Sequence, residues 1–321
     1  MHYDVFNGDA DGIMSLIQLR KAQPKSSTLI TSVKRDIQLL KQVVTQGDAS
    51  CVTVLDISME KNIDALYELI ENRVPVFYCD HHRTGEVPQS DALTALINLD
   101  ANVCTSWLVN RHVGEQYVDW AIAGIFGDNL FSTAQSLAAE HGLEQKYMEF
   151  LKELGTLVNY NGYGATLEDL HIQPERLFQQ LMAYSSPREL LEDPVSPYFQ
   201  LQNAYLEDNE KVATLRPVHS CEIAEVYVLP CEAWARRIGG VFGNALANQT
   251  PNKAHAVVTL NANHEDYTVS VRAPLNNRTG ADEICIQFLT GGGRKAAAGI
   301  NQLPKSELAS FIQTLTDHYA K

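Results

Sequence analysis

The sequence predicts an α/β protein: a parallel-sheet domain with helices on both faces, followed by a smaller α/β domain. Three observations carry this. Short β-type runs alternate with helical patterns through the first 130 residues, the order that builds a parallel sheet with crossover helices. Residues 130–212 read mainly as helix. A second set of strands and helices then begins beyond Arg216-Pro217. A chain of 321 residues also exceeds what one core usually supports. The expected division is 1–212 for the first domain, 213–222 for a linker and 223–321 for the second domain.

Taken in order, residues 3–6 (Tyr-Asp-Val-Phe) form a short apolar strand and 12–22 a helical stretch. Residues 28–33 and 52–57 are β-rich, with a helical pattern at 36–44 between them. Helical spacing at 61–71 leads to a buried-looking strand at 74–78, then to helices at 103–112 and 117–126. The stretch Asn159-Tyr160-Asn161-Gly162-Tyr163-Gly164 reads as a polar turn within the helical region. The second domain runs as strand 224–228, helix 233–247, strands 256–260 and 267–272, and helices 281–288 and 305–318. There are no internal repeats and no low-complexity tract.

Bulk properties exclude several classes. The chain is 45% hydrophobic and 20% charged, an ordinary globular composition. No apolar stretch approaches the roughly 18 residues that span a bilayer. The start, Met1-His2-Tyr3-Asp4, has no basic region followed by an apolar core, so no signal peptide is expected. Six cysteines are scattered without a CxxC pair, which fits reduced thiols in a cytoplasmic protein. The net charge of −14 is uneven: residues 217–321 hold nine basic and nine acidic residues, so the first 216 carry 16 basic against 30 acidic. Such a surface repels a long polyanion, because non-specific nucleic-acid binding needs Lys and Arg on phosphates. A small phosphorylated substrate fits better.

Four clusters then stand out, each just after an apolar run: Asp9-Ala10-Asp11, Asp56, Asp80-His81-His82 and Asp128. In an open parallel sheet the carboxyl ends of the strands share one edge, where ligands bind. Residues distant in sequence would meet there. A helix N-cap is the commoner role for any one aspartate in such a position. Jointly, the set offers hard oxygen and imidazole ligands suited to Mn²⁺, with Mg²⁺ or Co²⁺ as substitutes. Asp9, Asp11, Asp56, His81 and Asp128 are the expected ligands. Two ions about 3.5–4 Å apart would serve hydrolysis of a phosphoester. Neighbouring side chains on an extended backbone point apart, so His81 is assigned to metal and His82 to the substrate phosphate. Asp56 and His82 are the expected catalytic residues.

Downstream, Gly291-Gly292-Gly293-Arg294-Lys295 followed by Ala296-Ala297-Ala298-Gly299 looks like a phosphate cradle leading into a helix N-terminus. A flexible turn explains a lone glycine run equally well. Arg272 is a second candidate for phosphate contact, though a strand arginine is more often simply solvated.

These residues resemble the DHH phosphoesterase superfamily, named for the triplet that stands here as Asp80-His81-His82. The N-terminal part resembles the DHH domain through Asp9-Ala10-Asp11-Gly12, Asp56, Asp80-His81-His82 and Gly127-Asp128. The C-terminal part resembles the DHH-associated subfamily 1 domain through Ser270-Val271-Arg272, Gly291-Gly292-Gly293 and Ala297-Ala298-Gly299. The resemblance implies two domains about a cleft, Mn²⁺ dependence, a possible homodimer, and cleavage of phosphodiester or phosphoanhydride bonds. Family activities include nanoRNase action on short oligonucleotides, cyclic dinucleotide hydrolysis, dephosphorylation of adenosine bisphosphate, single-strand exonuclease action and pyrophosphatase action. Two positions depart from the pattern. Many relatives carry a metal-binding histidine where Val5 stands, and a substrate-contacting histidine where Arg294 stands. The expected function is hydrolysis of short nucleotides, linear or cyclic. The alternatives are pyrophosphatase or exopolyphosphatase action, adenosine bisphosphate phosphatase action, and a non-catalytic nucleotide sensor.

Overall fold

A computed structural model describes residues 1–320 of the chain. The chain divides into two compact units, Met1–Ala204 and Tyr205–Lys321.

The first unit alternates β1 (His2–Phe6), α1 (Ala10–Ala22), β2 (Thr28–Ile30), α2 (Leu40–Gln46), β3 (Cys51–Leu55), α3 (Ile63–Glu71), β4 (Val76–Asp80) and β5 (Leu93–Ile97). Six helices follow: α4 (Thr105–His112), α5 (Val118–Gly127), α6 (Phe131–Glu140), α7 (Gln145–Gly162), α8 (Pro174–Met182) and α9 (Pro197–Ala213), which runs across the division between units. The sheet has the order β2-β1-β3-β4-β5, and every pairing is parallel. The parallel sheet expected from the alternation is therefore present. β5 is a strand the hydropathy pattern did not reveal; it is an edge strand with mostly half-buried or exposed residues. The helical pattern at 36–44 begins later, at Leu40, and the strand at 28–33 is confined to three residues. The loop thus lengthened carries Lys34.

Side-chain alternation sorts the two faces. Tyr3, Val5, Val52, Val54, Val76 and Tyr78 enter one core with Leu40 and Val43 of α2 and Leu66 and Leu69 of α3. The alternate positions Asp4 and Thr53 face α1 through its Arg20, whose Nε donates to Asp4 at 2.7 Å and Nη2 to Thr53 at 2.9 Å. α1 is buried on nearly all sides, from Ala10 to Arg20, because it lies between the sheet and α4, α5 and α7. Glycines let these helices approach closely. A Cβ on Gly127 of α5 would lie 2.3 Å from the Ala10 Cβ of α1 and 2.9 Å from the Gly155 oxygen of α7. α7 continues through Gly162, so the polar turn expected at 159–164 starts only with Tyr163. Asn159 and Asn161 are buried helical residues.

The second unit contains β6 (His219–Ser220), β7 (Ala224–Leu229), α10 (Ala233–Gln249), β8 (Ala254–Leu260), β9 (Asp266–Arg272), α11 (Ala281–Cys285), β10 (Gly291–Gly293), β11 (Ala297–Pro304) and α12 (Leu308–Tyr319). Its mixed sheet has the order β10-β11-β9-β8-β7-β6, with β7 and β8 parallel. Val226, Val258, Val269 and Ile300 pack with Ile284 of α11 and Phe311 and Leu315 of α12. Among the described residues no helix is long and apolar enough to cross a membrane. All six cysteines are free.

Candidate metal centre

The four sequence clusters converge at the carboxyl edge of the parallel sheet. Asp9 is the N-cap of α1, accepting from the Gly12 amide at 3.1 Å through Oδ1. Its cap role is thus real, but its other oxygen points elsewhere. Asp11 is the second residue of α1, yet its carboxylate caps a different helix. It accepts from the Thr105 amide at 2.8 Å and the Ser106 amide at 2.6 Å, the first amides of α4. Unpaired amides at a helix start favour negative charge, so α4 holds Asp11 in place. Asp56 follows β3 with a φ of +58°. Non-glycine residues seldom adopt that conformation, and it concentrates at functional sites. Asp128 follows α5 as its C-cap. A carboxylate there faces the negative end of the helix, a poor position unless a cation accompanies it.

His81 lies at the centre of these acids. Its Nδ1 donates to the Val103 carbonyl at 2.9 Å. This fixes the tautomer of the neutral ring and turns the Nε2 lone pair inward. From Nε2 the distances are 3.4 Å to Asp56 Oδ1, 3.7 Å to Asp11 Oδ2 and 3.9 Å to Asp128 Oδ2. His82 Nδ1 pairs with Asp80 Oδ1 at 2.7 Å and lies 3.8 Å from Asp56 Oδ1. Both histidines therefore turn toward Asp56, and their rings meet edge-on at 4.5 Å. The expectation that they point apart fails because β4 ends at Asp80, so strand alternation no longer applies to residues 81 and 82.

The donor set fits a divalent cation. Donor atoms of Asp56, His81 and His82 lie within 4.8 Å of one another, as do those of Asp11, Cys104 and Asp128. The remaining oxygen of Asp80, Oδ2, is buried without a hydrogen-bond partner. Burial and the neighbouring charges of Asp9, Asp80 and Asp128 push the Asp56 carboxyl well above its ordinary range. Burial and the charges of Asp56 and Asp128 do the same to Asp11. Buried acids crowded in this way repel one another until a cation joins them. Imidazole with carboxylates suits Mn²⁺, Mg²⁺ and related ions rather than a soft-ligand site. The Cys104 thiol, pushed up by burial and by Asp11 and Asp128, stays protonated beside the acids.

Sequence reasoning missed two sets of contributors. Cys104 and the α4 amides carry no local signature; the cap forms through the long loop after β5. Lys34 is the other. Its Nζ lies 2.6 Å from Asp9 Oδ2 and 2.8 Å from Asn159 Oδ1, and its charge sits over the Tyr163 ring at 5.3 Å. Burial alone would raise the Asp9 carboxyl, but the Lys34 charge and hydrogen bond hold it below its usual range. The reciprocal effect holds the ammonium above its own range against burial.

The expected substrate-binding residues lie in the second unit. Arg272 is engaged there: Nε donates to Asn244 at 2.6 Å, Nη1 to Ser270 at 2.9 Å and to the Val271 carbonyl at 3.1 Å, and Nη2 to the Gly240 carbonyl at 3.3 Å. Gly291, Gly292 and Gly293 do not lead into a helix. They form edge strand β10, paired with β11 through a turn at 294–297, so the expected anion-binding helix start is absent. Close packing explains two of the glycines: a Cβ would lie 1.7 Å from the Cys285 oxygen at Gly291 and 2.5 Å from the Ala298 Cα at Gly293. Gly293 also has a φ of +147°, which disfavours other residues. Arg294 is exposed at the tip of this hairpin.

No family model matches the chain, and no curated protein matches it in sequence. Solved structures do match. A DHH domain described as a member of the S1p family of ribosomal proteins superposes with a TM-score of 0.69 at 12% identity, covering 100% of this chain and 86% of that one. Exonuclease RecJ bound to manganese gives 0.62 at 17% identity, covering 100% and 90%. The pGpG-specific phosphodiesterase PggH from Vibrio cholerae gives 0.57 at 13% identity, covering 100% and 99%. At such identities the likeness is one of fold. The chain thus shares its fold with these structures, a DHH domain among them, and carries a second, C-terminal unit.

Proposed function

We propose that the chain is a divalent-metal-dependent phosphodiesterase that hydrolyses short nucleotides, with Mn²⁺ as the working ion. The observation that carries this is the convergence of Asp11, Asp56 and Asp128 on the inward-facing Nε2 of His81, at 3.4–3.9 Å. A bound ion would supply a Lewis acid that polarises the phosphoryl group and lowers the pKa of a water. The chain's own residues do the rest. α4 holds Asp11 through two amides, and Thr105 Oγ1 donates to Asp56 at 3.2 Å. Asp80 orients His82, whose side chain is 31% exposed and so reachable by a phosphate at the mouth of the site. With Nδ1 donating to Asp80, Nε2 is the atom that meets the substrate. It can stabilise charge on a phosphoryl oxygen when protonated or accept a proton when neutral.

The substrate class follows from charge. An excess of 30 acidic over 16 basic residues in the first 216 opposes a long strand, whereas one or two phosphates can be held locally by the centre. The likeness to a phosphodiesterase named for pGpG points the same way. Arg294, exposed at its hairpin tip, is a proposed phosphate contact of the second unit. The test is a panel in Mn²⁺: a linear dinucleotide, a cyclic dinucleotide, a longer single strand, adenosine bisphosphate and pyrophosphate. Preferential cleavage of the dinucleotides is expected. Turnover of pyrophosphate or adenosine bisphosphate alone would overturn the substrate assignment, and binding without any turnover would make the chain a sensor.

A further inference from the structure

Lys34 poses a question that the metal-dependent reading leaves open: how many divalent ions the centre holds. The acids here are not equivalent. Asp11, Asp56 and Asp128 gather around the His81 Nε2. Asp9 is not among the acids paired with that nitrogen, and both of its oxygens are engaged, Oδ1 by the Gly12 amide and Oδ2 by the Lys34 ammonium. A second divalent ion at the Asp9 end would sit between Asp9 and Asp56, whose charges act on each other directly. The Asp9 end of that space already carries a cation.

The ammonium is built in rather than incidental. Its backbone amide donates to the Gly162 carbonyl at 2.9 Å, anchoring the loop to the end of α7. The same end of α7 supplies Asn159 Oδ1 as a second acceptor, and Tyr163 beyond it supplies a ring face. α7 also presses close to Asp9: a Cβ on Gly162 would lie 3.2 Å from the Asp9 Cα. The side chain at Val5, on the strand leading to Asp9, is fully buried in the apolar core on the sheet face toward α2 and α3. It offers no donor atom to a metal. Thus the Asp9 side has a fixed monovalent cation and no imidazole, while the His81 side has an imidazole and three carboxylates.

We propose that the Lys34 ammonium takes the place of one divalent cation, so that the centre binds a single ion among His81, Asp11, Asp56 and Asp128. The inference rests on the metal-dependent reading and narrows it. A lysine ammonium has three N–H donors. Asp9 and Asn159 use two, and the third finds no oxygen partner among the described residues. It can donate to a phosphoryl oxygen where a second metal ion would otherwise neutralise charge. Lys34 is then a substrate-facing cation that needs no metal to be present.

The count of bound ions tests this. The full chain is titrated with Mn²⁺ alone, following free ion by electron paramagnetic resonance and binding by calorimetry. One ion per chain is expected, with no spin coupling between neighbouring ions in the bound signal. Two tightly bound, coupled ions would overturn the inference while leaving metal dependence intact. No binding would overturn both. Lys34→Met removes the charge and keeps the length of the side chain, and it is expected to admit a second Mn²⁺ per chain. A Lys34→Met protein that is folded by circular dichroism and still takes one ion would remove Lys34 from this role. If that variant does not fold, the wild-type count decides.

Discussion

Replacing Asp128 by Asn should stabilise the metal-free protein and destabilise it relative to wild type once metal is added. Donor atoms of Asp11 and Asp128 lie within 4.8 Å. At an effective dielectric of about 20, two unit charges at that distance repel by roughly 3.5 kcal/mol. Part of this is already relieved, because burial and its acidic neighbours push Asp11 toward the neutral form. Part is also offset, since Asp128 attracts Lys34. A net gain of about 1–2 kcal/mol at pH 7 remains for Asp128→Asn without metal. With metal the sign reverses. An ion at about 100 times its dissociation constant stabilises the wild type by about 2.7 kcal/mol, and the variant lacks one of the carboxylates that hold it. Urea unfolding followed by circular dichroism, in EDTA and in Mn²⁺, reads both effects. The curves should cross: variant above wild type in EDTA, wild type above variant in Mn²⁺. A variant less stable in EDTA, or stabilised by Mn²⁺ as much as wild type, would refute the claim that these acids are held together for a cation.

Two other predictions bear on how the fold holds the centre. Gly127→Ala would drive a methyl group into Ala10, the residue between Asp9 and Asp11; overpacking of this kind costs about 1–3 kcal/mol, and Mn²⁺ affinity should fall with stability in calorimetry and melting. Arg20→Met leaves Asp4 buried without its main partner, at a cost of about 3–5 kcal/mol. Burial would raise the Asp4 carboxyl, but hydrogen bonds from Arg20 and His2 hold it well below its usual range. Its stabilisation is therefore present above about pH 4 and is lost as the pH falls toward its depressed value. The gap between wild type and Arg20→Met should be widest near neutrality and narrow on acidification; a gap that widens in acid would contradict the assignment.

What the sequence showed, and what it hid, divides along physical lines. The parallel sheet was legible because β1, β3 and β4 are apolar runs separated by helical patterns, and strand ends on one edge bring Asp9, Asp11, Asp56 and Asp80 together. β5 was hidden because an edge strand with half-exposed residues has weak hydropathy contrast. The partners of the acids were hidden for a different reason. Lys34 reaches Asp9 from a loop that the pattern assigned to strand and helix, and Asn159 and Tyr163 meet it from the far end of α7. Nothing in local spacing links those positions. The glycine run misled because the same residues that let a phosphate approach a backbone also let two strands and a helix end pack without Cβ atoms.

Hydrolysis of a linear dinucleotide by the full chain, compared in Mn²⁺ and in EDTA and with Asp56→Ala alongside, tests the central claim most directly. Mononucleotides are expected to be released in Mn²⁺, none in EDTA, and none from an Asp56→Ala protein that remains folded. Cleavage that persists in EDTA or in Asp56→Ala would contradict that claim.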